Sequence, residues 1–467
     1  MSNIAIITDS ASDIKQNNNK NITVLPLTVS FDDNHYKDGV DLTPDDFYMK
    51  LIESSTLPKT SQISPYDFEQ AYDNLLKSVD KIIVVTLSSK LSGTYQSACI
   101  AASEYEGKVY VVDSENVTVG QQILVDYAVS LLNKNIYVED IVKQLNIMKK
   151  RIRLVALLDT LEYLKKGGRI SSGAAFLGNV LSIKPVIAIA DGEVSFLGKA
   201  RGSKQGNNFL IQQVQAYGGI DYSLPVILGY TGCSTVLMDK YIKDSKELWE
   251  GKILIPPVVQ VGATIGTHIG PGGIAVAFFS EEAVDELIVV TRTSRLEEIA
   301  ALRDRYGLTK MTKVVVGGMT RAESSLAGVL AASSKATLIG IHDAARPLVT
   351  DAIITETIQA AKKSRAAAPG IPVRDTVKIT AGGVITDTPE RATLTAIQTP
   401  QVFQADLIKA ALTNAMRKHL AITDDCSAVE QLRVKPVVTQ GSDENLKITT
   451  PIDIELAESI LRRRGQA

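Results

Sequence analysis

Short apolar runs alternating with capped helical segments constrain this chain more than any other feature of its sequence. Ile4–Thr8, Lys81–Leu87 and Val109–Val112 are rich in β-branched residues and read as buried strands. Thr43-Pro44-Asp45-Asp46 predicts a helix start, with Thr as cap, Pro in the first turn and an acid three residues after the cap. Ser64-Pro65-Tyr66-Asp67 predicts another in the same way. Such alternation implies α/β sheets whose loops gather at the strand ends. The pattern resumes later with strand Glu286–Val290, helix Arg295–Arg305, strand Val314–Val316, helix Ala322–Ala331 and strand Leu338–His342, which together predict a doubly wound sheet.

A chain of 467 residues is too long for one ordinary core. Composition marks where it divides. Of 15 tyrosines only Tyr306 follows residue 281, while four arginines precede that point and 14 follow it. The seam, Phe278-Phe279-Ser280-Glu281-Glu282, has no Gly- or Pro-rich linker, and the expected domains are 1–280 and 281–467. A net charge of −2 gives no electrostatic case for nucleic acid or an anionic membrane as partner. No apolar run approaches the roughly 20 residues of a membrane span, and the first residues lack a basic region and a cleavable apolar core. Cys99, Cys233 and Cys426 are odd in number and lack metal-ligand spacing. A cytoplasmic protein with reduced thiols is the expectation.

Four segments of the first domain carry candidate chemistry: Lys59-Thr60-Ser61-Gln62, Ser88–Ala98, Lys165–Ile170 and Thr267–Gly273. Each also has a purely local explanation. Thr60 and Ser61 suit the turn before the helix at Ser64, and Ser92 suits an N-cap. Gly167 and Gly168 suit a helix stop with Arg169 as a solvated charge, and His268 suits a glycine-rich surface loop. Ser92 with His268 makes a hydrolase conceivable, but the nucleophile-elbow pattern GxSxG is missing. This half also lacks a GxxxxGK phosphate loop and any cluster of metal-ligand residues.

Taken together, ITDSASD at Ile7–Asp13, TSQISP at Thr60–Pro65, LSGTYQSA, LEYLKKGGRISS and GTHIGPGGIAVAFF resemble the DegV family of fatty-acid-binding proteins. The resemblance covers the whole length of that family, with Ile63 standing where Pro is commoner. It implies two α/β lobes holding a long-chain fatty acid, whose carboxylate meets Thr60, Ser61, Ser92, Arg169 and His268. It implies delivery of the acid to a separate fatty-acid kinase, and no cofactor. Apolar stretches such as Ile183–Ala190 and Ile253–Val261 offer tunnel wall.

Beyond the seam, Gly317–Ser325 leaves a strand through glycines into a helix, and His342–Pro347 sets an acid and an arginine just past a strand. With IPVRDTVK, ITDDCSAVE and DENLKITTPIDIELAE, these stretches resemble 2-C-methyl-D-erythritol 4-phosphate cytidylyltransferase, an enzyme of non-mevalonate isoprenoid biosynthesis. The resemblance implies that Gly317, Gly318, Arg321 and Ser324 surround the cytosine of CTP. Asp343 would sit near ribose and Mg2+, and Lys447 near the triphosphate. Arg374, Asp375, Thr376, Lys378 and Arg391 would belong to the sugar-phosphate pocket and to the arm of a homodimer. Met319 stands where an acid is often found.

The family's opening strand, GxGxR loop and nearby lysine are absent here, because the resemblance begins only at about Val284. In a doubly wound sheet that strand is central, and its loss strands backbone groups and opens a cavity. The expectation is therefore an incomplete Rossmann-like nucleotidyltransferase domain without activity. The alternative is an active cytidylyltransferase converting CTP and methylerythritol phosphate to CDP-methylerythritol and pyrophosphate. Ile274–Phe279 is expected to close the first domain rather than fill the gap in the second.

Overall fold

Period-two alternation along Ile152–Leu157 and Ile274–Phe279 dictates a sheet covered on both faces. Ile152, Leu154, Ala156, Ala275, Ala277 and Phe279 face one apolar cluster, while Val155, Leu157, Ile274, Val276 and Phe278 face another. The computed structural model describes residues 3–16, 19, 21–132, 134, 136–170, 183–254, 256–281, 284–306, 308 and 310–464. Ser171 and Ser172 of the LEYLKKGGRISS motif and Glu282 of the seam lie outside them. The chain separates into two units, Met1–Glu281 and Glu282–Ala467. Glu281 stays with the first unit because its N–H donates to Gly219 O at 3.2 Å, next to Ser280 N–H on Arg151 O at 2.9 Å.

The first unit is α/β and two-lobed. Its first lobe contains β1 (Ile4–Asp9), β2 (Ile22–Leu25), β3 (Thr28–Phe31), β4 (Asn34–Lys37), β5 (Lys59–Ser61), β6 (Lys81–Thr86) and β7 (Val109–Asp113). A parallel sheet runs β2-β1-β6-β7, and β4-β3-β5 form a small antiparallel sheet. Thr43 and Ser64 cap the helices Pro44–Glu53 and Pro65–Leu75 as their sequences predict. The second lobe contains β8 (Ile152–Leu157), β9 (Ile183–Ala190), β10 (Glu193–Arg201), β11 (Val226–Tyr230), β12 (Val258–Gln260) and β13 (Ile274–Phe279). They lie in the order β10-β9-β8-β13-β11-β12.

The second unit begins with the parallel pair β14 (Leu287–Thr291) and β15 (Met311–Val316). It continues with β16 (Leu338–Ile341), β17 (Ala366–Pro372), β18 (Ile379–Ala381), β19 (Val384–Asp387), β20 (Thr395–Ile397), β21 (Gln401–Gln404) and β22 (Val437–Gln440). A mixed sheet runs β16-β21-β17-β20 with β22 on β17, and β18–β19 form a separate hairpin. β14 and β16 each lack a partner on one side, and no strand among the described residues joins their sheets. β13 does not fill that place, since it pairs with β8 and β11 inside the first unit.

Burial records the difference. All six residues of β13 are buried, whereas β14 (sequence LIVVT) and β16 bury none and β15 buries Met311 alone. No helix among the described residues is long and apolar enough to cross a membrane.

Candidate ligand-binding site

Strand direction brings Arg169 and His268 together. β8 and β13 are antiparallel neighbours, so the chain leaving β8 and the chain entering β13 lie at the same end of the sheet. The helix Glu162–Lys166, just past β8, stops at Gly167. Gly168 has φ +68°, a conformation that favours glycine, and Arg169 N–H donates back to Leu164 O at 3.0 Å. The glycine stop read in the sequence is real, and it also turns Arg169 toward the interior. A Cβ on Gly167 would run into His268 Nδ1, so the bare glycine admits the imidazole. Arg169 donates from Nη1 to Gly167 O at 2.5 Å and from Nε to Leu91 O at 3.4 Å. Among the described residues no carboxylate pairs with it.

His268 lies in the last turn of the helix Ala263–Ile269, not in a surface loop. Its Nε2 shares a hydrogen bond with Thr60 Oγ1 at 2.9 Å, and its buried Nδ1 has no partner. Burial, and then the charge of Arg169, push the imidazole down to about 4, so it is neutral at neutral pH. Thr60 and Ser61 belong to the edge strand β5 instead of a turn. Ser92 Oγ lies 3.0 Å from Thr94 Oγ1, and the helix Thr94–Ala102 takes Gly93 as its N-cap. No hydrogen bond among the described residues joins Ser92 to His268, which removes the geometric basis for a Ser-His nucleophile.

The short helix bearing His268 is fixed from the first lobe. Its N-cap, Gly262, offers no side chain, and Asp38 supplies the missing acceptors. Asp38 accepts from Ala263 N–H at 3.1 Å, Thr264 N–H at 3.0 Å and the Thr264 hydroxyl at 2.5 Å. Asp13 accepts from Gly262 N–H at 2.8 Å and from the Thr118 hydroxyl. Burial raises both carboxyls, Asp13 to about 8, against the hydrogen bonds that favour the ions. Nothing in the local sequence of Asp38 marks it, because a lone acid in a loop reads as solvated.

Thr60, Ser61, Ser92, Arg169 and His268 all line one cavity of about 360 Å³, within the range of small-molecule sites. Leu87, Leu154, Ile187, Ile189 and Val261 give it apolar walls, the last three from stretches read as tunnel wall. Gln62 also lines it, and sequence reasoning did not single it out despite its place beside Thr60 and Ser61. Its Nε2 donates to Ser97 Oγ at 3.1 Å, and Gly93 leaves room for its amide. Ser61 and Gln62 are exposed, so the polar end of the cavity is the end nearer solvent.

In the second unit, Arg321, Asp343 and Lys447 converge. Asp343 pairs with Lys447 Nζ at 3.0 Å and lies 3.8 Å from Arg321 Nε and 3.9 Å from Arg346 Nε. Burial alone would raise Asp343, but the Lys447 hydrogen bond and the three cations outweigh it and lower the carboxyl. Arg321 is tied to the buried Asp425 at 2.6 Å. Gly317 and Gly318 lead into the helix Arg321–Ala331, where Glu323 takes the N–H groups of Met319 and Thr320 at 2.6 and 3.0 Å. Ser324 Oγ donates to Thr320 O at 2.9 Å.

Asp343, the carboxylate expected near Mg2+, has cations for neighbours here, with Lys447 on its Oδ2. Arg374, Asp375, Thr376, Lys378 and Arg391 are exposed, on the segments that precede and follow the β18–β19 hairpin. There Arg374 pairs with Asp443, Arg391 Nη1 donates to Arg374 O at 3.1 Å, and Lys378 Nζ to Thr388 Oγ1 at 2.8 Å. No hydrogen bond or ion pair among the described residues joins this arm group to Asp343. Thr399 and His342, neither given a role by the sequence, brace the Asp343 loop: Thr399 Oγ1 accepts from Asp343 N–H at 3.0 Å and lies 3.0 Å from His342 Nδ1.

The Asp38 cap gives a direct prediction. Asp38→Ala leaves the first turn of the His268 helix without acceptors and lowers the unfolding free energy of the first unit by about 1–3 kcal/mol. Denaturant titration checks it; an unchanged midpoint would show that the cap contributes nothing.

Residues 3–281 match the DegV family, described as "Uncharacterised protein, DegV family", and residues 274–463 match 2-C-methyl-D-erythritol 4-phosphate cytidylyltransferase. A DegV domain-containing protein of Caldanaerobacter subterraneus subsp. tengcongensis is 36% identical over 287 residues, covering 60% of this chain and 100% of that protein. The cytidylyltransferase of Halalkalibacterium halodurans is 40% identical over 187 residues, covering 40% of this chain and 82% of that enzyme. A solved DegV-family structure from Thermus thermophilus, described by its fatty-acid binding, aligns with TM-score 0.55 and 32% identity over 60% of this chain and 99% of its own. The chain therefore belongs to the DegV family through residues 3–281 and carries over 274–463 a region of the methylerythritol-phosphate cytidylyltransferase family.

Proposed function

We propose that the first unit binds a long-chain fatty acid with its carboxylate at Arg169 and His268, and presents that carboxylate to a fatty-acid kinase. The observation that carries this reading is the half-buried guanidinium of Arg169, without a carboxylate partner among the described residues, at the polar end of an apolar cavity. Burying a tail of about 15 methylenes yields on the order of 12 kcal/mol gross. Burying the carboxylate opposes this by several kcal/mol unless it is paired. Arg169 supplies the charge, while Thr60, Ser61 and Ser92 supply hydroxyls that donate at close range. His268 acts through Thr60, whose hydroxyl it holds in place from Nε2. Exposure of Ser61 and Gln62 supports a head-first transfer, because the carboxylate is then the part of the ligand a kinase can reach. The fatty-acid binding of the Thermus thermophilus relative supports the same ligand class.

Arg169→Ala should weaken fatty-acid binding on the order of 100-fold, the loss expected when a buried charge is left unpaired. Titration calorimetry with palmitate measures this, and an unchanged affinity would remove Arg169 from the site.

We propose further that the second unit does not turn over CTP. Its open edges at β14 and β16, and the internal satisfaction of Asp343 by Lys447 and of the Gly318–Thr320 turn by Glu323, leave few groups free to hold a triphosphate. Phosphoryl chemistry of this kind depends on positioned cations and N–H donors around the phosphates. No pyrophosphate release is expected from CTP and methylerythritol phosphate with Mg2+ present. Release that is abolished by Asp343→Ala would establish the opposite.

A further inference from the structure

Resting on the fatty-acid reading of the cavity, we infer that a row of small residues across the second-lobe sheet sets how long an acyl chain the protein accepts. Gly229, Ala275 and Ala156 are cross-strand partners on β11, β13 and β8, and all three line the cavity. Ala156 is next paired with Ile187 on β9. The row directly behind, on the same face, is Ile227, Ala277, Leu154 and Ile189. Large side chains at three of its four positions raise the floor there.

The rows have a direction. Arg169 follows the C-terminal end of β8 and His268 precedes the N-terminal end of β13, so the head lies past Leu158 and Gly273. A tail leaving it meets Ala156 and Ala275 first, and then Leu154. Ala156 and Ala275 line the cavity with small side chains, while behind them Leu154 and Ile189 line it with large ones.

Gly229 fits the same role. Its backbone is not left-handed, so no turn requires glycine there. A Cβ would lie 3.2 Å from Val119 and 3.4 Å from Val261, tight but open to adjustment. Glycine inside a strand is costly and marks the close approach of another group. Here that group is Val119, on the helix Thr118–Leu132 that packs on the sheet, and the bare glycine keeps that end of the row low beneath it.

The test measures affinity for saturated acids from C10 to C18, by displacement of a fluorescent fatty acid, in the full chain and two variants. Wild-type affinity should climb with each methylene. In Ala156→Leu the climb should stop short, so that the advantage of C18 over C12 shrinks at least tenfold, the effect of leaving about two methylenes unburied. Leu154→Ala should act oppositely and extend the climb, which keeps the inference testable if Ala156→Leu does not fold. Equal losses at every chain length, or a Leu154→Ala profile identical to wild type, would overturn the role of this row while leaving fatty-acid binding intact. A wild-type chain that binds no acid of any length would instead overturn the underlying reading.

Discussion

A guanidinium held at the edge of an apolar cavity without a carboxylate partner is an unstable arrangement unless the surrounding structure enforces it, and much of the first unit does so. The glycine stop at Gly167–Gly168 turns Arg169 inward, and the same bare Gly167 lets the His268 ring approach. Asp38 and Asp13 reach from the first lobe to hold the helix on which His268 sits. The cost of that geometry is visible in the titrating groups. His268 is held neutral by burial and by Arg169, while Asp13 and Asp38 are raised by burial. Placing a cation and a neutral imidazole together leaves the site one negative charge short, which is the charge a fatty-acid headgroup brings.

The second unit shows the same physics in reverse. Its sequence still alternates strand and helix, and β14 (LIVVT) is apolar at every position but the last, yet it buries no residue. A central strand is covered on both faces by its helices and on both edges by its neighbours; β14 and β16 each have an edge without one. Its polar groups satisfy one another, as the Asp343–Lys447 and Arg321–Asp425 pairs show.

Much of the fold was legible in the sequence, because local rules govern it. The caps at Thr43 and Ser64, the strand at Lys81–Leu87 and the helix stop at Gly167 follow from spacing and residue type alone. The site was legible only through the family resemblance, since Thr60 and His268 are 208 residues apart and meet through the pairing of whole lobes. Asp38 was missed for the same reason: its partners, Ala263 and Thr264, are more than 220 residues away. Gly229 did carry a local signal, a glycine inside an otherwise β-branched and apolar run, but its meaning depends on knowing which face of the sheet it occupies. In the second half the grouping of the motif residues into a nucleotide set and an arm set came from the family resemblance, while the pairing of Asp343 with Lys447 across 104 residues was not visible from spacing.

The claim that a carboxylate docks between Arg169 and His268 is tested most directly by an NMR titration of the His268 imidazole with the cavity empty and loaded with palmitate. In the empty protein the ring should titrate near 4, depressed by burial and by Arg169. Loading places a negative charge beside it and offsets the charge of Arg169, so the midpoint should move upward. A midpoint that stays where it is, or falls, would mean that the headgroup binds elsewhere.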